Sequence, residues 1–426
     1  MTRISRRSFA KSAAVAAAVG AASSRFVMPA TIAAQNAPTE IVFHHIWGTP
    51  PGTKEEHRDP IMDVIDLFNS NEAETGIRVV SRTDSGSYAE VLQKTQAEMA
   101  TGKGPDIVSV PWANINWARE GLNMRPLNEV SDQIDALQAG LRPDVIPLVT
   151  VDDQMWGMPY AFSTPILYLN RDLFDEAGIN PDDVLNEWDF LLGDAAMALR
   201  EHVGGPLLDL TDGQWPAQGI AQSNGGRVMN DDNVFVMDSA ETIAAMDKIA
   251  ELDREGILNR STRAEASASF VGGTLPVFYA SVASLKGLRE QSQFNMETHT
   301  FPVFTGKPRQ MSCGGSFLGM FSQDAEKQQA VMEYLKFSIT KEAYELWNQR
   351  GYMNATALEM PVVPGQEPSY AHLEEGITPE TPWPTARGGE YGAMWAETVA
   401  RIWTNNISAE EGCTQIAAEL NSLVGN

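Results

Sequence analysis

The chain has 426 residues, 43% of them hydrophobic, with 56 acidic side chains against 31 basic ones and a formal net charge of −25. Such an acidic balance excludes nucleic acid and anionic membrane as principal partners, because both would be repelled. Cys313 and Cys413 stand in no CxxC or Cys/His cluster, so no metal site and no cofactor are expected, and whether the two thiols pair is left open by the sequence.

The first residues read as an export signal. Ser5 to Lys11, SRRSFAK, is a twin-arginine pattern, followed by an Ala/Val run from Ala13 to Ala22 and small residues at Ala33 and Ala34. The apolar run is too short for a membrane span, which needs about 20 strongly apolar residues. A mature chain beginning near Gln35 is therefore expected, exported by the twin-arginine route to the periplasm. Losing residues 1–34 removes five positive charges (Arg3, Arg6, Arg7, Lys11, Arg25) and no acidic ones, which takes the net charge from −25 to −30. The remaining ~390 residues exceed what one core sustains, so two domains are expected.

Strand and helix signals then alternate. Ile41 to Trp47 is β-rich, and Asp59-Pro60 opens a helical pattern through Ile61, Val64, Ile65 and Phe68, with Asp59 as N-cap and Pro60 at N1. Ile77 to Thr83 forms a second strand. Ser87-Tyr88-Ala89-Glu90 has the spacing of a capping box, and the helix it starts stops at Gly102-Lys103-Gly104-Pro105. A third strand follows Asp106. This β-α-β-α-β order predicts an α/β fold with a mostly parallel sheet flanked by helices, whose strand C-termini are the usual ligand positions. The same grammar returns with Ile166 to Leu169 as a strand and Arg171 to Ala177 as a helix ended by Gly178; further helices are expected within 181–200 and over 242–254, 325–337 and 341–350. The span Thr356 to Gly389 contains six prolines and is long enough that a functional or tightly packed role is expected.

Catalytic templates are absent. The chain has no GxSxG, no Walker A loop, no GxGxxG after a strand and no HExxH, so nucleophilic, phosphate-loop and zincin chemistry lack their minimum residues. His44 and His45 are adjacent on a strand and point to opposite faces, so they cannot share a metal. Aromatics carry more information. Trp47 and Trp112 follow the first and third strands and Tyr88 begins the helix after the second, so all three fall on one rim of the sheet. Aromatic faces stack on the apolar patches of sugars while neighbouring hydroxyls bond theirs.

With these residues assembled, most of the chain after residue 38 resembles the bacterial extracellular solute-binding proteins of family 1, the sugar-type receptors of ATP-binding-cassette importers. The most specific segment is WGMPYAFSTPILYLNRDLFDEAGINP, Trp156 to Pro181. Ser223 to Gly226, Phe270 to Glu290, Gly314 to Phe321 and Arg350 to Thr356 support it. The resemblance implies a two-lobed periplasmic binding protein fold of type II character. It places three interlobe crossings near 163–167, 280–284 and 313–317, with one lobe over 38–162 plus 281–314 and the other over 167–279 plus 318–426.

Within the family the pattern is most similar to the glycerol-3-phosphate receptors. Carried over residue by residue, the ligand contacts become Tyr88, Ser163, Ser281 or Ser284, Gly314 with Gly315, Tyr352 and Arg387. His45, Trp47, Trp112 and Thr164 join them as candidates from the rim and the first crossing. Where that branch has an acidic residue after the third strand, this chain has Trp112, which favours a sugar ring over a bare glycerol backbone. Arg387, beside Gly388 and Gly389, offers a planar fork suited to phosphate or sulfonate. The expectation is a monomeric, non-enzymatic receptor that hands a sugar, glycoside or polyol phosphate to a membrane permease. An exported carbohydrate lyase or hydrolase, or a receptor signalling to a sensor kinase, are the alternatives.

Overall fold

The computed structural model describes residues 37–48, 58–376 and 378–425; the export pattern expected over residues 1–34 lies outside the described residues. In chain order the strands are β1 (Thr39–His44), β2 (Ile77–Arg82), β3 (Ile107–Pro111), β4 (Thr150–Val151), β5 (Gln154–Met155), β6 (Gly157–Ser163), β7 (Pro165–Asn170), β8 (Leu208–Asp209), β9 (Val277–Ser281), β10 (Met296–His299), β11 (Ser312–Met320) and β12 (Thr378–Pro379).

The opening β-α-β-α-β segment folds as its pattern predicts. Asp59 caps the Pro60–Asn69 helix through the Ile61 amide, Pro60 occupies its first turn, and Ile61, Val64, Ile65 and Phe68 are buried along one face. Each such side chain contributes ~2 kcal/mol by leaving water. Ser87 caps the Tyr88–Met99 helix by accepting from the Glu90 amide. The reciprocal half of the expected capping box is displaced by one residue, since the Glu90 carboxylate takes the Gly86 amide at 2.7 Å. These helices return the chain so that β1 pairs in parallel with both β2 and β3.

Two main sheets follow, both mixed. The first runs β12-β11-β3-β1-β2 with β6 also on β11; β11 is antiparallel to β3 and β6 and parallel to β12. The second runs β10-β7-β9-β8, with β7 antiparallel to both neighbours. The α/β class thus holds, with more antiparallel pairing than the early alternation implies, because β6 and β11 double back across the first sheet. Strand β10 lies inside the span 281–314 expected to accompany the first lobe, yet it pairs with β7 in the second sheet.

Strand β7 explains its own unbroken apolar sequence. Ile166 and Tyr168 pack into one core cluster, and Leu167 and Leu169 into the other. A strand buried on both faces has no polar side to alternate with. Between β6 in the first sheet and β7 in the second there is only Thr164, whose hydroxyl bonds Ser369 at 2.8 Å and lies 3.3 Å from His372 Nδ1. Pro165 has no amide hydrogen to satisfy at this passage.

The cysteines settle the question the sequence leaves open. Both are free and buried, Cys313 in the first cluster and Cys413 in the second. Burial pushes each thiol up to about 12, far from the thiolate form that reacts. The folded protein should therefore consume no Ellman's reagent at pH 8, and the denatured protein should consume two equivalents, one for each cysteine of the sequence. Rapid reaction of either thiol in the folded state would contradict this packing.

Candidate functional site

The candidate site is organised around the start of β11, where two glycines permit approaches that no side chain would. Gly315 has φ +106°, and a Cβ placed on it would fall 2.1 Å from the Ala161 carbonyl oxygen. A Cβ on Gly314 would fall 2.3 Å from the Trp215 ring. Trp112, leaving β3, is almost fully buried and donates its indole N–H to the Gly314 carbonyl at 2.8 Å. Ser163, the last residue of β6, sits opposite Gly314 in the register. Four of the expected contacts, Trp112, Ser163, Gly314 and Gly315, are thus brought together at one step of the sheet.

Tyr88 and Tyr352 join this group from the other side. The Tyr88 hydroxyl donates to Ser316 Oγ, one residue beyond the glycine pair, at 3.1 Å. Burial raises its pKa well above the phenol value, with the neighbouring Tyr352 acting in the same direction, so it remains a neutral donor throughout the physiological range. Tyr352 stacks on Trp347 at 5.1 Å and accepts the Trp47 indole N–H at 3.0 Å. Trp47 itself has no exposed surface; it packs among Phe43, Tyr160 and Trp347 and supports Tyr352 from behind. His45 stacks on Trp47 and lies 3.0 Å from Ser81 Oγ. Burial, with His44 second, takes its pKa down to about 3, so it is a neutral part of the aromatic wall.

The remaining expected residues make the following contacts. Thr164 is tied to Ser369 and His372, as above. Ser281 Oγ accepts the Ala283 amide at 3.2 Å and so shapes the turn after β9, while Ser284 is half-buried ahead of the Leu285–Gln291 helix. Arg387 is exposed, and its fork is engaged by Glu390 through two bonds of 2.8 Å. The cation nearer the tyrosines is Arg350, 5.9 Å from the Tyr352 ring centre, paired with Asp59 at 3.0 Å and bonded to the Ala283 carbonyl at 2.8 Å. It opens the Arg350 to Thr356 segment, so its place in sequence was the available signal.

Two more side chains were not signalled by spacing. Trp215 is the second residue of the Gln214–Ser223 helix and lies on Gly314, with its indole N–H buried and without a partner. Glu380 follows β12 in the proline-rich span, and burial holds its carboxyl up at about 8. A separate cavity beside Trp403 is lined by Thr211, Asp212, Asn259, Arg260 and Ser261; Arg260 pairs there with the buried Asp253. Among the described residues no group of three or more His, Cys, Asp or Glu could hold a metal ion.

Comparison with known proteins agrees with this architecture. The family described as bacterial extracellular solute-binding protein matches residues 65–360. The sn-glycerol-3-phosphate-binding periplasmic protein UgpB of Yersinia pseudotuberculosis is 25% identical over 398 residues, covering 86% of this chain and 88% of that one. Among solved structures, UgpB from Mycobacterium tuberculosis in complex with glycerophosphocholine superposes with a TM-score of 0.76 at 17% identity, covering 92% of this chain and 99% of that one. The substrate-binding protein Lmo0181 from Listeria monocytogenes in complex with cycloalternan gives 0.75 at 16% identity, covering 91% and 99%. These structural likenesses describe a shared two-domain fold.

The glycine step can be tested directly. Gly315→Ala places a Cβ against a backbone oxygen in a conformation L side chains avoid, so it should destabilise the protein by about 2–3 kcal/mol. Urea unfolding measures this, and an unchanged midpoint would show that the backbone there is not constrained.

Proposed function

The chain belongs to the bacterial extracellular solute-binding proteins, and from that premise we propose that it is a periplasmic receptor that captures a sugar, glycoside or polyol phosphate and delivers it to the permease of an ATP-binding-cassette importer. Members of this family bind solutes and do not transform them, so the lyase or hydrolase alternative falls away. The observation that carries the proposal is the convergence of Tyr88, Trp112, Ser163 and Tyr352 on the glycine step of β11. Hydroxyls and aromatic surface meet there in the mixture that a polyhydroxylated solute requires.

Binding would act by population shift. One lobe is proposed to carry the sheet containing β1 to β3, and the other the sheet containing β7 to β10. A solute touching both favours the closed arrangement by its differential affinity, and Thr164, alone between β6 and β7, is a natural place for the backbone to absorb the rotation. The relatives named for glycerol-3-phosphate and for larger sugars support a hydroxylated ligand of this general class. The Arg6-Arg7 pattern supports export by the twin-arginine route, which would carry the receptor out of the cytoplasm.

A thermal-shift screen with neutral sugars, sugar phosphates and glycerol phosphates tests the reading. A ligand at 100 times its Kd adds about 2.7 kcal/mol of stability, and Trp112→Ala should then weaken the responding ligand at least tenfold without a product appearing on prolonged incubation. Catalytic turnover of any responding glycoside would overturn the receptor assignment.

A further inference from the structure

Glu380 is an acidic side chain that follows β12 beside the start of β11, and it has no counter-charge among the described residues. Strand β12 runs parallel to β11, with Thr378 level with Ser312 and Pro379 level with Cys313. Glu380 follows directly after that pairing, as Gly314, the partner of Ser163, follows Cys313. Two contacts fix this placement. The Cys313 thiol lies against the Glu380 backbone amide, and the Thr381 amide donates to Gln218 Oε1 at 3.0 Å. Gln218 and Trp215 are three residues apart on the Gln214–Ser223 helix, hence on one face. The same helix face thus holds the Glu380 segment with one residue and covers Gly314 with the other.

Both groups have unmet hydrogen-bonding capacity. The half-buried Glu380 carboxyl has no donor or cation within reach among the described residues, and burial alone sets its proton affinity. The Trp215 indole N–H is buried and unpartnered. A carboxylate acceptor and an indole donor, beside an aromatic surface, match hydroxyl groups on a ring. A phosphate or sulfonate in the same place would meet a like charge whenever that carboxyl is ionised.

We propose that Glu380 and Trp215 form the selective end of the site: the carboxylate accepts hydrogen bonds from hydroxyls of an uncharged sugar residue lying against the Trp215 indole, and it disfavours an anionic group there. The inference rests on the receptor reading and narrows its ligand class. A consequence concerns protons. Hydroxyl donors favour the ionised carboxyl, so binding lowers its proton affinity from about 8 and releases protons near pH 7.5, whereas an anion at that position would cause uptake.

Calorimetric titrations at pH 7.5, in two buffers of different ionisation enthalpy, test this with wild type and Glu380→Gln. The probes are neutral mono- and disaccharides, including maltose and tagatose, and sn-glycerol-3-phosphate. The variant should stay folded. A carboxyl with a raised folded-state pKa costs stability as pH rises through that value, so the amide should melt no lower than wild type at pH 8 and above. The expected result is that at least one neutral saccharide binds with proton release and that Glu380→Gln weakens it tenfold or more. Binding of sn-glycerol-3-phosphate alone, or a saccharide affinity unchanged in the variant, overturns this inference and leaves the receptor reading standing. Binding by neither class removes the receptor reading, and the inference with it.

Discussion

The close approach of β11 to its neighbours at Gly314 and Gly315 is the constraint on which the rest of the site depends. A side chain at the first position would strike Trp215, and one at the second would strike the Ala161 carbonyl. Because both are glycines, β6 and β11 can pair up to Ser163, the Trp112 indole can reach the Gly314 carbonyl, and Ser316 can meet Tyr88. Strand β12 adds its edge at the same level. Five separated parts of the chain are thus held in register by the absence of two Cβ atoms, which is backbone geometry performing the work of positioning.

Around this step the protein separates rigid support from polar capacity. Trp47, Tyr160 and Trp347 form a buried aromatic block behind Tyr352, and the neutral His45 belongs to it. The second sheet is covered on both faces along β7, and Thr164 links that strand to β6 of the first sheet. Groups that would otherwise be candidates for ligand binding are engaged internally: Arg387 with Glu390, Thr164 with Ser369, Ser281 with its own turn. Near Gly314, by contrast, the Trp215 N–H is buried without a partner and burial raises the Glu380 carboxyl.

Much of the fold was legible in the sequence. The Asp59-Pro60 start, the Gly178 stop of the Arg171–Ala177 helix, and the apolar run of β7 are local signals, set by capping, a left-handed glycine and two-sided burial. Sheet direction was less legible, because β6 and β11 pair across the 148 residues between Ser163 and Ser312 and nothing local dictates their antiparallel sense. In the site, Tyr88, Trp112, Ser163 and the glycine pair could be selected from strand ends and the family resemblance. Trp215 could not, since a tryptophan one residue into a helix resembles a core residue. Glu380 lies in a proline-rich span without periodicity, and its isolation from any cation among the described residues is a property of three dimensions.

A solute held at the glycine step between Trp112, Trp215 and Glu380 is the proposal that most needs a direct test. Hydrogen–deuterium exchange with and without the saccharide giving the largest thermal shift tests it most directly. Slowed exchange is expected over 88–92, 112–116, 214–218, 312–317 and 380–382, where backbone amides adjoin the proposed contacts. Protection confined to the cavity beside Trp403, over 211–214 and 259–261, with the glycine step unchanged, would contradict it.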